Sequence, residues 1–96
     1  MVKLIWTELA LKDLKEIHEY IARDSKLYAK RQVSKIIKKA EKIKEQPFSG
    51  RIVPEFSNDS IREMLEGNYR VIYKVNDGGV FITRIYHSAR LLKVIE

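Results

Sequence analysis

A chain of 96 residues is the length of one small domain, and an apolar content of 45% argues against intrinsic disorder. Cysteine is absent, which removes disulfide frameworks, thiol catalysis and Cys-based zinc sites together. The formal charge of +6, from 19 Lys+Arg against 13 Asp+Glu, favours a polyanion or an acidic protein as partner.

Residues 1–96 read as a single domain, without internal repeat, low-complexity segment or interdomain linker. No apolar run approaches membrane-spanning length. The N-terminus lacks a basic region followed by an apolar stretch, so the expected location is the cytoplasm, away from membranes.

Val2 to Trp6 reads as a first short strand. Thr7 is placed to cap the helix that follows, with Glu8 near its positive end. Ala10, Leu14, Ile17 and Ile21 recur at helical spacing through about Asp24. Ser25 caps a second helix, in which Ala29, Val33, Ile36, Ile37, Ala40 and Ile43 form the apolar stripe. Lys26, Lys30, Arg31, Lys35, Lys38, Lys39, Lys42 and Lys44 cover the rest of that helix, with only Glu41 and Glu45 as acids. By themselves these lysines read as a solvated face. Pro47 and Gly50 end the helix, and the short link between the helices predicts an antiparallel hairpin.

After Gly50 the period changes. Arg51 to Glu55 is a short extended segment and Ser57 to Ser60 a loop. Ile61 to Glu66, Tyr69 to Val75 and Gly79 to His87 read as three strands, joined by turns at Gly67-Asn68 and Asn76-Asp77-Gly78-Gly79. Ser88 is placed to cap a short terminal helix through Ala89, Leu91 and Leu92. The fold class is α+β in the order β-α-α-β-β-β. The helix pair should cover one face of a small twisted antiparallel sheet and leave the other partly open.

Three polar side chains stand out in this second half: Glu55, Arg70 and His87. A carboxylate, a guanidinium and an imidazole are the parts needed to move protons and stabilise charge at a phosphodiester. If the last hairpin turns on Asp77-Gly78, Val75 faces Val80, Tyr73 faces Ile82 and Arg70 faces Ile85. His87 then lies diagonal to Arg70 on the open face, within about 7–8 Å at the backbone. A one-residue slip would separate them. In this register Arg62 and Arg84 fall on the core side unless a bulge intervenes, and periodicity does not place Glu55. Each residue also has a plainer reading. His87 suits a solvated or capping position, Arg70 a partner for Glu63 or Glu55, and Glu55 a turn. Trp6, Tyr69 and Tyr73 suit the core, and His18 the surface.

The ordered set Leu4-Ile5-Trp6, Pro47-Phe48-Ser49-Gly50-Arg51 with Pro54-Glu55, Arg62-Glu63, Tyr69-Arg70-Val71-Ile72-Tyr73 and Tyr86-His87 with Arg90 resembles the RelE/ParE toxin superfamily over essentially the whole chain. That resemblance implies the toxin of a type II toxin–antitoxin module, a cognate antitoxin as partner, and a helix hairpin on a small antiparallel sheet. It also implies one of two targets. RelE-like and YoeB-like members cut mRNA in the ribosomal A site, whereas ParE-like members inhibit DNA gyrase without nuclease chemistry.

The Pro54-Glu55 pair, Arg70 and Tyr86-His87 are YoeB-like. They imply Glu55 as general base, Arg70 as phosphate clamp and His87 as general acid, each proton transfer contributing about 100- to 10,000-fold. Arg51, Arg62, Arg84 and Arg90 join them as candidate substrate or phosphate contacts. The 2′-hydroxyl of the RNA is then the nucleophile, with no metal and no cofactor. A YoeB-like chain carries a catalytic tyrosine just after the histidine, where this one has Ser88 and a ParE-like tail through Arg90-Leu91-Leu92. Together these residues imply ribosome-dependent mRNA cleavage. A gyrase inhibitor and a basic nucleic-acid-binding module are the alternatives. On the nuclease reading, Arg70→Ala and His87→Gln should abolish toxicity and spare the fold.

Overall fold

The computed structural model describes residues 3–88. The element order is β1 (Leu4–Trp6), α1 (Glu8–Ala22), α2 (Lys26–Glu45), β2 (Arg51–Ile52), β3 (Ile61–Glu66), β4 (Tyr69–Asn76) and β5 (Gly79–His87). Val2, the expected start of the first strand, and Ala89, Arg90, Leu91 and Leu92 lie outside the described residues. Among those described, no helix is long and apolar enough to cross a membrane.

The strands form one five-stranded sheet in the order β1-β5-β4-β3-β2. It is mixed rather than wholly antiparallel, because β1 joins β5 in parallel, Ile5 opposite Phe81. The helical hairpin brings the chain back to the end of the sheet where β1 finished, so β2 runs opposite to β1, and the three antiparallel reversals from β2 to β5 leave β5 parallel to β1. Gly79 makes this approach possible: its φ is +131°, and a Cβ there would lie 2.5 Å from the Lys3 carbonyl oxygen. The hairpin between β4 and β5 turns on Asp77-Gly78 as expected, with Asn76 opposite Gly79.

Local chemistry accounts for the helix starts. Thr7 and Ser25 are both extended and accept hydrogen bonds from Ala10 N and Tyr28 N respectively. Thr7 does more than cap. Its hydroxyl donates to the Ile82 carbonyl at 2.9 Å, and its own N–H donates to the same oxygen at 3.1 Å. Helix α1 is thereby pinned to the middle of β5. Thr7→Ala is expected to destabilise the protein by about 1–2 kcal/mol, read as a lowered urea midpoint at unchanged slope.

The core lies between the helices and one sheet face. Ala10, Ile36, Ala40 and Ile43 pack on Val71, Tyr73, Val80, Ile82 and Ile85, with Trp6, Leu14, Ile17 and Tyr69 at the margin. The helical stripe is as expected except at Ile37, which is 40% exposed. The second sheet face is not simply open. Val53 and Ile72 are buried there, with Phe56, Ile61 and Tyr86 packed around them. Val53, fully buried, folds the segment after β2 back over the sheet. Its carbonyl accepts from Phe56 N and Ser57 N, both at 3.1 Å, which closes the turn carrying Glu55.

Candidate functional site

The register between β4 and β5 decides which polar residues meet. It starts as expected, with Val75 opposite Val80 and Tyr73 opposite Ile82, then shifts between Tyr73 and Ile72. Ile72 faces Arg84, Val71 faces Ile85, Arg70 faces Tyr86 and Tyr69 faces His87. Thr83 is thus an extra residue in β5, a bulge of the kind that re-aims every side chain beyond it. Its hydroxyl donates to the Ile72 carbonyl at 3.2 Å, and its carbonyl accepts from the Thr7 hydroxyl at 3.2 Å.

The expected sharing of one face by Arg70 and His87 is therefore overturned. His87 stands with Tyr69 on the helix-side face, their rings edge to face at 5.7 Å between centroids. Burial, with Tyr20 nearby, pushes the Tyr69 phenol above its usual pKa. The next residue, Ser88, takes the open side. It lines a shallow groove with Arg51, Pro54, Glu55, Leu65 and Arg70. Its N–H donates to the Asn68 carbonyl at 2.6 Å.

Arg70 and Glu55 do come together. Arg70 is 5% exposed, and its terminal nitrogens donate to both oxygens of Glu55 at 2.9 Å each. Its Nε donates to Glu63 at 2.7 Å, and the other Glu63 oxygen accepts from Arg51 Nε. These contacts follow from pairing: Arg51 lies opposite Glu63, and Leu65 opposite Arg70, so alternate residues of β2, β3 and β4 share this face. Two guanidiniums and two carboxylates balance, which makes the burial tolerable. The hydrogen bonds to Glu55, and then to Glu63, hold the Arg70 guanidinium above its already high pKa, against the opposing pull of burial.

The other arginines are placed elsewhere. Arg62 shares the face of Tyr73 and donates to the carbonyls of Asp59, Phe48 and Gly50 at 3.0, 3.3 and 3.0 Å, over the Phe48 ring. It fastens the loop before β2. Arg84 is drawn to helix α1, where it donates to both oxygens of Asp13 at 2.8 and 3.0 Å and stacks on Tyr86. Asp13 also accepts from Ile85 N at 2.9 Å, satisfying the edge of β5 beyond the reach of β1. Arg90 lies outside the described residues.

Of the candidates, then, Glu55, Arg70 and Arg51 converge, while His87, Arg62 and Arg84 do not join them. Two carboxylates organise these arginines, Glu63 and Asp13. In the sequence Glu63 was visible only as one possible partner for Arg70. Asp13 was signalled by its place three residues after Ala10, an acid inside an apolar helical stripe.

The chain as a whole is similar to known proteins in sequence and in fold. The protein named Toxin RelE2 from Caulobacter vibrioides is 37% identical over 92 residues, spanning 95% of this chain and 100% of that protein. Among solved structures, the chromosomal ParDE toxin–antitoxin system from P. aeruginosa superposes with a TM-score of 0.75 at 21% identity, covering 91% of this chain and 96% of that one. The toxin–antitoxin complex RelBE2 from Mycobacterium tuberculosis superposes with a TM-score of 0.65 at 19% identity, covering 90% and 96%. Residues 4–92 match the family described as the ParE toxin of the type II toxin-antitoxin system, parDE. With this match along nearly its full length, the chain belongs to the ParE toxin family, within the RelE/ParE superfamily of type II toxins.

Proposed function

We propose that this toxin, held silent by a cognate antitoxin, arrests growth by stoichiometric binding to a protein target, DNA gyrase in the ParE-like manner, and not by cutting RNA. The observation that carries this reading is the state of the would-be catalytic set. Arg70 has its terminal nitrogens on Glu55 and its Nε on Glu63, and His87 stands across the sheet. A phosphate clamp needs donors turned toward the substrate, and a general acid needs to reach the leaving oxygen. Ser88, which lines the groove in place of an imidazole or phenol, does not exchange protons near neutral pH.

A second reading, ribosome-dependent mRNA cleavage, is favoured by the 37% identity to a relative named Toxin RelE2. It needs Arg70 to exchange Glu55 not for another carboxylate but for a phosphate of different charge and shape, and a group other than His87, which stands on the other face, to act as the acid. Both targets act in the cytoplasm.

Controlled expression without antitoxin separates the two. The expected result is growth arrest with lost supercoiling and gyrase-dependent DNA breaks, unchanged by His87→Gln. Ribosome-linked RNA ends bearing a 2′,3′-cyclic phosphate would instead establish the nuclease. Normal growth at confirmed folded expression would remove both.

A further inference from the structure

The two glutamates on Arg70 are not equivalent. Glu63 sits on β3, its side chain fully buried, and holds Nε at 2.7 Å. Glu55 is carried on the turn after Val53, its side chain 16% exposed, and meets both terminal nitrogens at 2.9 Å. Glu63 therefore aims the guanidinium, and Glu55 occupies the two-point fork that faces the groove. The turn bearing Glu55 lies outside the strands, and Ser57 within it has a φ of +51°, in the left-handed region. Directly opposite Arg70 on β3 stands Leu65, 49% exposed and lining the same groove.

We propose that the Arg70 fork is a docking point for a carboxylate side chain of a partner polypeptide, flanked by an apolar residue that lies on Leu65, and that Glu55 is an internal occupant displaced on docking. The exchange is like for like. One carboxylate leaves for water as another arrives, so the charge of the buried network is unchanged. The observed occupant already uses the bidentate geometry that a guanidinium offers a carboxylate. The apolar Leu65 beside it suits an aliphatic side chain better than a sugar. A chain of charge +6 also favours encounter with an acidic segment, and the bidentate fork then fixes where its carboxylate seats. The inference rests on reading the toxin as a protein binder, and adds the chemistry of what this face takes.

The probe is the blocked dipeptide N-acetyl-Glu-Leu-amide, titrated into the full chain carrying ¹⁵N and followed by NMR at Arg70 Nε and the amides of residues 54–60. In the wild type the probe should shift those amides, and N-acetyl-Gln-Leu-amide should not. In Glu55→Gln, which keeps the volume and removes the competing charge, the Glu probe should bind about tenfold more tightly, one charge-assisted contact no longer being contested. Leu65→Ser should reverse part of that gain. If Glu55→Gln fails to fold, Glu55→Asp, one methylene short of the fork, should give a gain of the same sign.

Equal affinity in wild type and folded variant, or shifts confined to other surfaces, would overturn the proposal. So would an equal gain for inorganic phosphate, which would mark a phosphate site instead. Lost dipeptide binding with gyrase inhibition intact refutes only the docking point. Dipeptide binding without effect on gyrase refutes only the target.

Discussion

Arg70→Ala is expected to destabilise the protein by about 3–5 kcal/mol, because it strands a carboxylate with no access to water. The Glu63 side chain is fully buried, and Arg70 supplies one of its two cationic partners. The Glu55 side chain is 16% exposed and so nearer to solvent, whereas Glu63 has no exposure at all. The sequence by itself pointed the other way, toward a site residue whose loss spares the fold. Urea unfolding of the folded chain measures the difference, and a change below about 1 kcal/mol would show that Arg51 alone satisfies Glu63. Arg70→Met combined with Glu63→Leu should recover most of the loss. Removing both charges of a buried pair leaves nothing stranded, whereas removing one leaves an uncompensated ion. Any loss of toxicity in Arg70→Ala therefore has to be compared with that double variant before it is assigned to chemistry.

Gly50→Ala is expected to cost about 2–4 kcal/mol, from overpacking together with a lost buried hydrogen bond. The position admits no side chain. An added Cβ would lie 2.6 Å from the Glu63 carbonyl oxygen and would overlap the Tyr73 hydroxyl as well. A backbone oxygen in the middle of β3 has no room to move. Gly50 N also donates to the Tyr73 hydroxyl at 2.9 Å in a buried contact, so the strain and the lost bond come together. Tyr73→Phe provides the control. It keeps the packing and leaves the Gly50 N–H without its acceptor, for about 1–3 kcal/mol. A Gly50→Ala effect no larger than that of Tyr73→Phe would mean that the loop before β2 yields, and that the close approach is not what holds Arg51 beside Glu63.

What the sequence determined was everything that depends on short-range periodicity and turn chemistry. Thr7 and Ser25 mark both helix starts, the apolar spacing from Ala10 to Ile43 sets the helical face, and Asp77-Gly78 sets the last turn and the first half of its register. These are local preferences, each decided within one or two turns of chain. The ordered residues also carry the family resemblance, which the match over residues 4–92 bears out.

Three features were decided only in the folded chain. The bulge at Thr83 depends on Thr7, on Ile72 and on the edge of β5 that Asp13 satisfies, partners 76, 11 and roughly 70 positions away along the chain. No alternation pattern contains those contacts, yet they send His87 to the helix side and Ser88 to the groove. Glu55 reaches Arg70 because Val53 is buried on the second sheet face, a tertiary event that periodicity in a five-residue segment does not express. The third is the role of Arg70. Alternation in β3 and β4 puts Glu63 and Arg70 on one face. Only the packing of the turn above them shows that the guanidinium is enclosed between two carboxylates, because burial is a property of what the rest of the chain covers.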